Sequence, residues 1–181
     1  MYDLYIVTTQ TGSLLSRTIK FYTRAPYNHV SIGFDEKLES IYSFGRRTPR
    51  NPMNGGFVKE AKNEGVYKIF KQTTCRVYKI EISDLEYKEI KKEINKFCKH
   101  KDKYKYNFLG LVAIKFGIKL KRENKFYCTE FVGTVLSDSK VVNFDKEAAL
   151  LTPYDFYKIE RAKLVYEGKF SDYLPLNLVT I

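Results

Sequence analysis

Lys125-Phe126-Tyr127-Cys128-Thr129-Glu130-Phe131-Val132-Gly133-Thr134-Val135-Leu136 sets the frame for the rest of the chain. It follows a polar, basic turn from Lys119 to Asn124 and then becomes apolar at helical spacing, with Phe131, Val132, Val135 and Leu136 on one face. Cys128 falls at the front of the predicted helix, where backbone N–H groups have no internal partner. There the positive end of the helix dipole favours a thiolate over a thiol. Buried structural cysteines are common, so the position gains chemical meaning only if a histidine reaches it.

The chain has two histidines. His29 lies in Tyr27-Asn28-His29-Val30-Ser31-Ile32-Gly33-Phe34, which alternates strictly. Val30, Ile32 and Phe34 face one way, and His29, Ser31 and Gly33 the other. His100 lies in Lys99-His100-Lys101-Asp102-Lys103, a solvated charge run. His29 is therefore the candidate base.

A length of 181 residues suits a single domain, residues 1–181, with a real core; 15 tyrosines and 13 phenylalanines supply the apolar area. The formal charge of +11 favours anionic partners without showing that any binds, and a solvated basic surface is the simpler reading. Cys75, Cys98 and Cys128 have no paired or metal-type spacing, so neither a metal site nor a cofactor is expected. The start Met1-Tyr2-Asp3-Leu4-Tyr5-Ile6-Val7 lacks the marks of an export signal, which points to a reducing, cytoplasmic setting. The most apolar run, Phe108–Ile118, contains Lys115 and is far short of the roughly twenty residues needed to span a bilayer.

Leu4–Thr9 reads as a buried strand, and Ser13 caps a predicted helix with Leu14, Leu15, Thr18, Ile19 and Tyr22 on one face, ended by Pro26. Asp35-Glu36-Lys37 marks the turn of a hairpin whose return strand is Ser40–Phe44. A turn centred on Glu36-Lys37 places His29 opposite Ser43 or Phe44, and same-face logic selects Ser43. The small side chains of that face are expected to let a helix come close. Arg46-Arg47-Thr48-Pro49-Arg50-Asn51-Pro52 reads as a basic loop and Asn54-Gly55-Gly56 as another turn. Its arginines could hold a carboxylate or phosphate, or could simply be solvated. Thr74–Ile82 alternates as a strand, and Ser83-Asp84-Leu85-Glu86 is a capping box opening a helix with Tyr87, Ile90, Ile94 and Phe97 buried. Cys75 and Cys98 are expected as inert packing residues. A helix over Asn107–Ile118, the Cys128 helix, a short helix starting at Thr152-Pro153 and a late strand Leu164–Glu167 complete an α+β domain with an antiparallel sheet.

Tyr27-Asn28-His29-Val30-Ser31-Ile32, then Ile41-Tyr42-Ser43-Phe44, then Phe126-Tyr127-Cys128-Thr129-Glu130-Phe131-Val132, resembles the circularly permuted branch of the NlpC-type papain-like superfamily. Within it the chain looks like the YiiX/YaeF-like amidases, with lecithin:retinol acyltransferase-like proteins as cousins. The histidine strand precedes the cysteine helix, as in that branch, and the opening of the preceding helix at Tyr106-Asn107-Phe108 is also similar. The resemblance runs from Leu4 to about Leu136. It implies a permuted papain-like fold whose antiparallel sheet packs against the cysteine helix.

The resemblance also implies thiol-based acyl chemistry on an amide, peptide or ester, by hydrolysis or acyl transfer. Cys128 attacks as the nucleophile and His29 moves the proton. The Cys128 backbone N–H is the natural first oxyanion donor. Tyr27, Tyr127 and Arg46 are the candidate substrate-binding residues. The family's third residue is usually an acid or another polar group; the aligned position here is Ser43, which cannot stabilise an imidazolium with a full charge. Three readings follow: Ser43 acts unaided, Glu39 or Asn28 stands in, or activity has weakened. The alternative function is a binding module whose basic surface engages nucleic acid, another anionic polymer or a membrane. No lipid-facing amphipathic segment stands out, and peptidoglycan hydrolysis is disfavoured without an export signal.

Overall fold

The apolar run after Met1 becomes strand β1 (Tyr2–Gln10), and its alternate residues serve two different cores. Leu4 and Ile6 join the larger cluster on one face of the sheet, while Tyr5 and Val7 join a smaller one on the other. The computed structural model describes residues 1–13 and 25–175; beyond Ser13, the helix expected to run to Tyr22 lies outside the described residues.

β1 pairs antiparallel with β2 (His29–Gly33) on one side and β5 (Thr74–Ile82) on the other. β3 (Ile41–Thr48) follows β2, β4 (Asn51–Glu60) follows β3, and β8 (Lys163–Lys169) adds to β5, all antiparallel. Two short strands, β6 (Lys105–Tyr106) and β7 (Lys125–Phe126), run parallel to each other beyond β4. The eight-stranded order is β7-β6-β4-β3-β2-β1-β5-β8, a mixed α+β architecture built on a mostly antiparallel sheet. The helices are α1 (Gly65–Ile69), α2 (Asp84–Lys99), α3 (Phe108–Ala113) and α4 (Cys128–Asp138), with 3-10 turns at Ile114–Phe116, Ala148–Leu150 and Pro153–Lys158.

α2 starts as expected. Ser83 Oγ accepts the Glu86 N–H at 3.2 Å while the Glu86 carboxylate accepts the Ser83 N–H at 2.7 Å, and Ile90, Ile94 and Phe97 are buried. On α4 the four apolar residues of the expected face are fully buried. They pack with Val30, Ile32 and Phe44, and the Phe44 ring lies 5.3 Å from that of Phe131. Fully burying a phenylalanine or leucine contributes about 1.5–3 kcal/mol, so this seat holds α4 firmly on β2 and β3.

Four expectations are corrected. First, α4 packs on the Val30–Ile32–Phe44 face, not on the small-residue face of His29, Ser31 and Ser43. Second, the register sets Ile32 opposite Tyr42 and Gly33 opposite Ile41; continued, it puts Ser31 opposite Ser43 and His29 opposite Gly45. The hairpin loop is wider than a simple turn because the Asp35 carboxylate accepts the Glu39 and Ser40 N–H groups, both at 2.9 Å, with Leu38 turned inward and buried. Third, the basic stretch is no loop: β3 runs to Thr48 and β4 resumes at Asn51. Asn54-Gly55-Gly56 sits inside β4, where the glycines admit β6. A Cβ on Gly55 would meet Tyr106 Cβ at 2.8 Å, and one on Gly56 the Tyr104 carbonyl at 2.5 Å. Fourth, the helix expected over Asn107–Ile118 stops at Ala113, a 3-10 turn follows, and Gly117 ends it at φ +67°. Cys75 is a buried packing residue, but Cys98 is exposed on α2. No helix among the described residues is long and apolar enough to cross a membrane.

Candidate active site

Cys128 is the first residue of α4, with Tyr127 as the N-cap. Its flanks are bolted to the Ala148–Leu151 segment. The Tyr127 hydroxyl donates to the Ala149 carbonyl, and Thr129 Oγ1 donates to the Leu151 carbonyl at 2.6 Å. Two buried hydrogen bonds of about 1 kcal/mol each thus fix the backbone that carries the thiol. Glu130 in the same turn is buried, accepts the Tyr127 backbone N–H and leaves Oε2 without a partner among the described residues. Burial pushes its carboxyl up to about 7, against the pull of that N–H, Lys121 and Asn107.

His29 opens β2 and meets the Cys128 thiol directly. Its Nε2 lies 3.2 Å from Glu60 Oε2, which leaves Nδ1 for the sulfur. Glu60 ends β4, two strands away across β3. The pair can span β3 because Gly45 lies beneath it: a Cβ there would touch both the His29 Cε1 and Glu60 Oε1 atoms at 3.4 Å. Glu60 Oε2 also accepts Ser43 Oγ at 2.7 Å and Ser31 Oγ at 3.1 Å. Burial opposes ionisation of Glu60, but the His29 charge and the hydrogen bonds from His29, Ser43 and Ser31 hold the carboxyl below its ordinary range. Burial would likewise push His29 down. The Glu60 charge and the contact with Cys128 outweigh it and hold the imidazole up at about 10.

Tyr106, on β6, completes the surroundings of the sulfur. Its hydroxyl is in hydrogen-bonding contact with Cys128, and burial, then the Cys128 charge, keep it protonated far above its ordinary range. His29, Glu60 and Tyr106 line a cleft with a volume of about 60 Å³, together with Thr11, Phe44, Arg46, Tyr67 and Phe108. Cys128 borders a small adjoining hollow of about 10 Å³ with Leu111, Ile114, Thr129 and Leu151, and Asn28 borders both.

The structure therefore brings together Cys128 and His29, two residues that sequence reasoning paired. Ser43 is near, but it donates to Glu60 rather than to the imidazole, so it orients the acid. Arg46 lines the cleft, its guanidinium held by the Pro49 carbonyl at 3.2 Å and 5.1 Å above the Phe70 ring. Tyr27 does not reach the cleft: its hydroxyl donates to Glu167 at 3.0 Å on the far side of β5. Tyr127 is buried and bound to Ala149, an anchor and not a substrate contact. Glu39 is exposed in the hairpin loop. Glu60 and Tyr106 were missed as site residues. The signal for Glu60 was the return of an antiparallel strand through Phe57-Val58-Lys59-Glu60, hidden by the glycines before it. Among the described residues no group of three or more His, Cys, Asp or Glu side chains could hold a metal ion.

No family model, curated protein or solved structure matches this chain.

Proposed function

We propose that the chain is a cysteine hydrolase or acyltransferase of the permuted NlpC-type papain-like kind, acting on an amide, peptide or ester. The single observation that carries the reading is the continuous line from the Cys128 thiol through His29 to the Glu60 carboxylate, with Cys128 at a helix N-terminus. An acid held ionised beside an imidazole fixes its tautomer and stabilises the imidazolium, the role for which Ser43 alone was insufficient.

Cys128 attacks as the nucleophile, its thiol proton passing to His29. Sulfur bonds to the carbonyl carbon and the carbonyl electrons move to oxygen. The Cys128 N–H, at the helix start, and the Tyr106 O–H, in contact with the sulfur, are the donors assigned to that oxyanion. As the oxyanion collapses, the C–N or C–O bond breaks and His29 Nδ1 gives its proton to the leaving group. Water, or an acceptor amine or alcohol, then loses a proton to His29 and attacks the thioester, releasing the thiolate. The choice between water and acceptor separates hydrolysis from transfer.

Iodoacetamide labelling at neutral pH, read by mass spectrometry at each cysteine, tests the reading. Exposed Cys98 is the internal reference, and Cys75, whose thiol burial pushes up to about 12, should stay unlabelled. Cys128 is expected to react about tenfold faster than Cys98 or more, and His29→Ala to abolish that advantage. A wild-type Cys128 that labels no faster than Cys98 overturns the proposal.

A further inference from the structure

The segment between β6 and β7 leaves and re-enters the sheet at nearly one point. The Lys105 and Asn107 N–H groups donate to the Asn124 and Phe126 carbonyls, both at 2.9 Å, and Asn107 Nδ2 donates to the Leu120 carbonyl at 3.0 Å. One side of the closed loop turns inward, with Leu111 and Ile114 bordering Cys128. The other side is apolar and open: Leu109 is 58% exposed, Val112 48%, Phe116 69%, Ile118 56% and Leu120 37%. Single exposed apolar side chains are ordinary, but five within twelve residues of one loop are not.

The cations gather at the same place. Residues 99–125 hold nine Lys or Arg against two Asp or Glu, so this stretch carries +7 of the chain's +11. Lys119 and Lys121 are engaged by Glu147, at 2.5 and 3.7 Å. Lys101, Lys103 and Arg122, near the base of the loop, are exposed and form no ion pair among the described residues.

We propose that this loop is a docking face for an anionic lipid surface, its apolar side seated at the headgroup–acyl boundary and its basal cations on the headgroups. A nucleic acid would engage the cations but gain nothing from Leu109, Val112 and Ile118. A second copy of this chain would bring +11 against +11. An anionic bilayer answers both halves of the loop. Docking there would also hold the hollow beside Cys128 at the lipid surface. The inference stands apart from the hydrolase reading, since it needs no turnover.

Co-sedimentation of the full chain with phosphatidylcholine vesicles, with and without phosphatidylglycerol, tests it. Binding is expected only to the phosphatidylglycerol vesicles and is expected to weaken with salt. Lys103→Glu and Arg122→Glu should each weaken it roughly fivefold per unit of charge changed. Leu109→Glu with Ile118→Glu should remove binding altogether while the circular dichroism spectrum and the Cys128 alkylation rate stay at wild-type values. The proposal is overturned if wild type ignores phosphatidylglycerol, or if the double variant binds as tightly as wild type. It is equally overturned if wild type binds vesicles poorly and the double variant instead abolishes a dimer in sedimentation velocity.

Discussion

A carboxylate 3.2 Å from an imidazole both selects the tautomer and holds a proton in place. Glu60→Gln separates the two roles, because the amide oxygen can still accept from Nε2 while the charge is gone. Without that charge, burial pulls His29 down from about 10, opposed only by the contact with Cys128 and the remaining hydrogen bond. The alkaline limb of the pH dependence of kcat/KM should therefore move down by more than one pH unit, and the plateau should fall by on the order of 10²–10⁴. Ser43→Ala removes one of the hydrogen bonds to Glu60 Oε2 and leaves the charge, so less than a tenfold loss is expected, with the limb nearly in place. Steady-state rates on an activated ester across pH measure both. A Glu60→Gln profile that overlays wild type would remove Glu60 from the site.

For the elements, the demanding requirement is that α4 sit close to the Ala148–Leu151 segment that anchors Tyr127 and Thr129. Gly133 makes this possible: a Cβ there would collide with Leu151 Cδ1, with Ala148 Cβ at 3.6 Å behind it. Leu151 is buried, so it has little room to swing aside. Gly133→Val should cost about 1–3 kcal/mol of stability by overpacking, seen calorimetrically as a Tm lower by about 2–4 °C for each kcal/mol. An unchanged Tm would show that α4 is not seated as described. The same element shows what could be read beforehand. α4, α2 and β5 were legible because their apolar periods and the Ser83 box are local signals. β4 was not, because glycine that admits a neighbouring strand looks in sequence like glycine that makes a turn. Glu60 was lost with it. Tyr27 and Tyr127 misled for a related reason: their hydroxyls are taken by Glu167 and Ala149, partners that no local pattern announces.

Across the whole molecule, the candidate site is also a tie between distant parts of the chain, for it links β2 to β4 over β3 and joins both to α4. Its charges must therefore appear in the pH dependence of folding. His29 is raised in the folded chain, so its contribution is fully present below about 6.5 and is lost as pH climbs toward about 10. Glu60 is lowered, so its contribution is present above its ordinary 4.5 and is lost as pH falls below that value. With the side chains only 18% and 12% exposed, solvent screens the pair weakly. Urea unfolding of wild type and Glu60→Gln should then differ most between about pH 5 and 6. From pH 7 to 10 the folded chain holds a proton that the unfolded chain has released. The difference should shrink across that range with a slope of no more than about 1.4 kcal/mol per pH unit. A difference that does not vary with pH would mean that His29 and Glu60 are not paired in the folded protein.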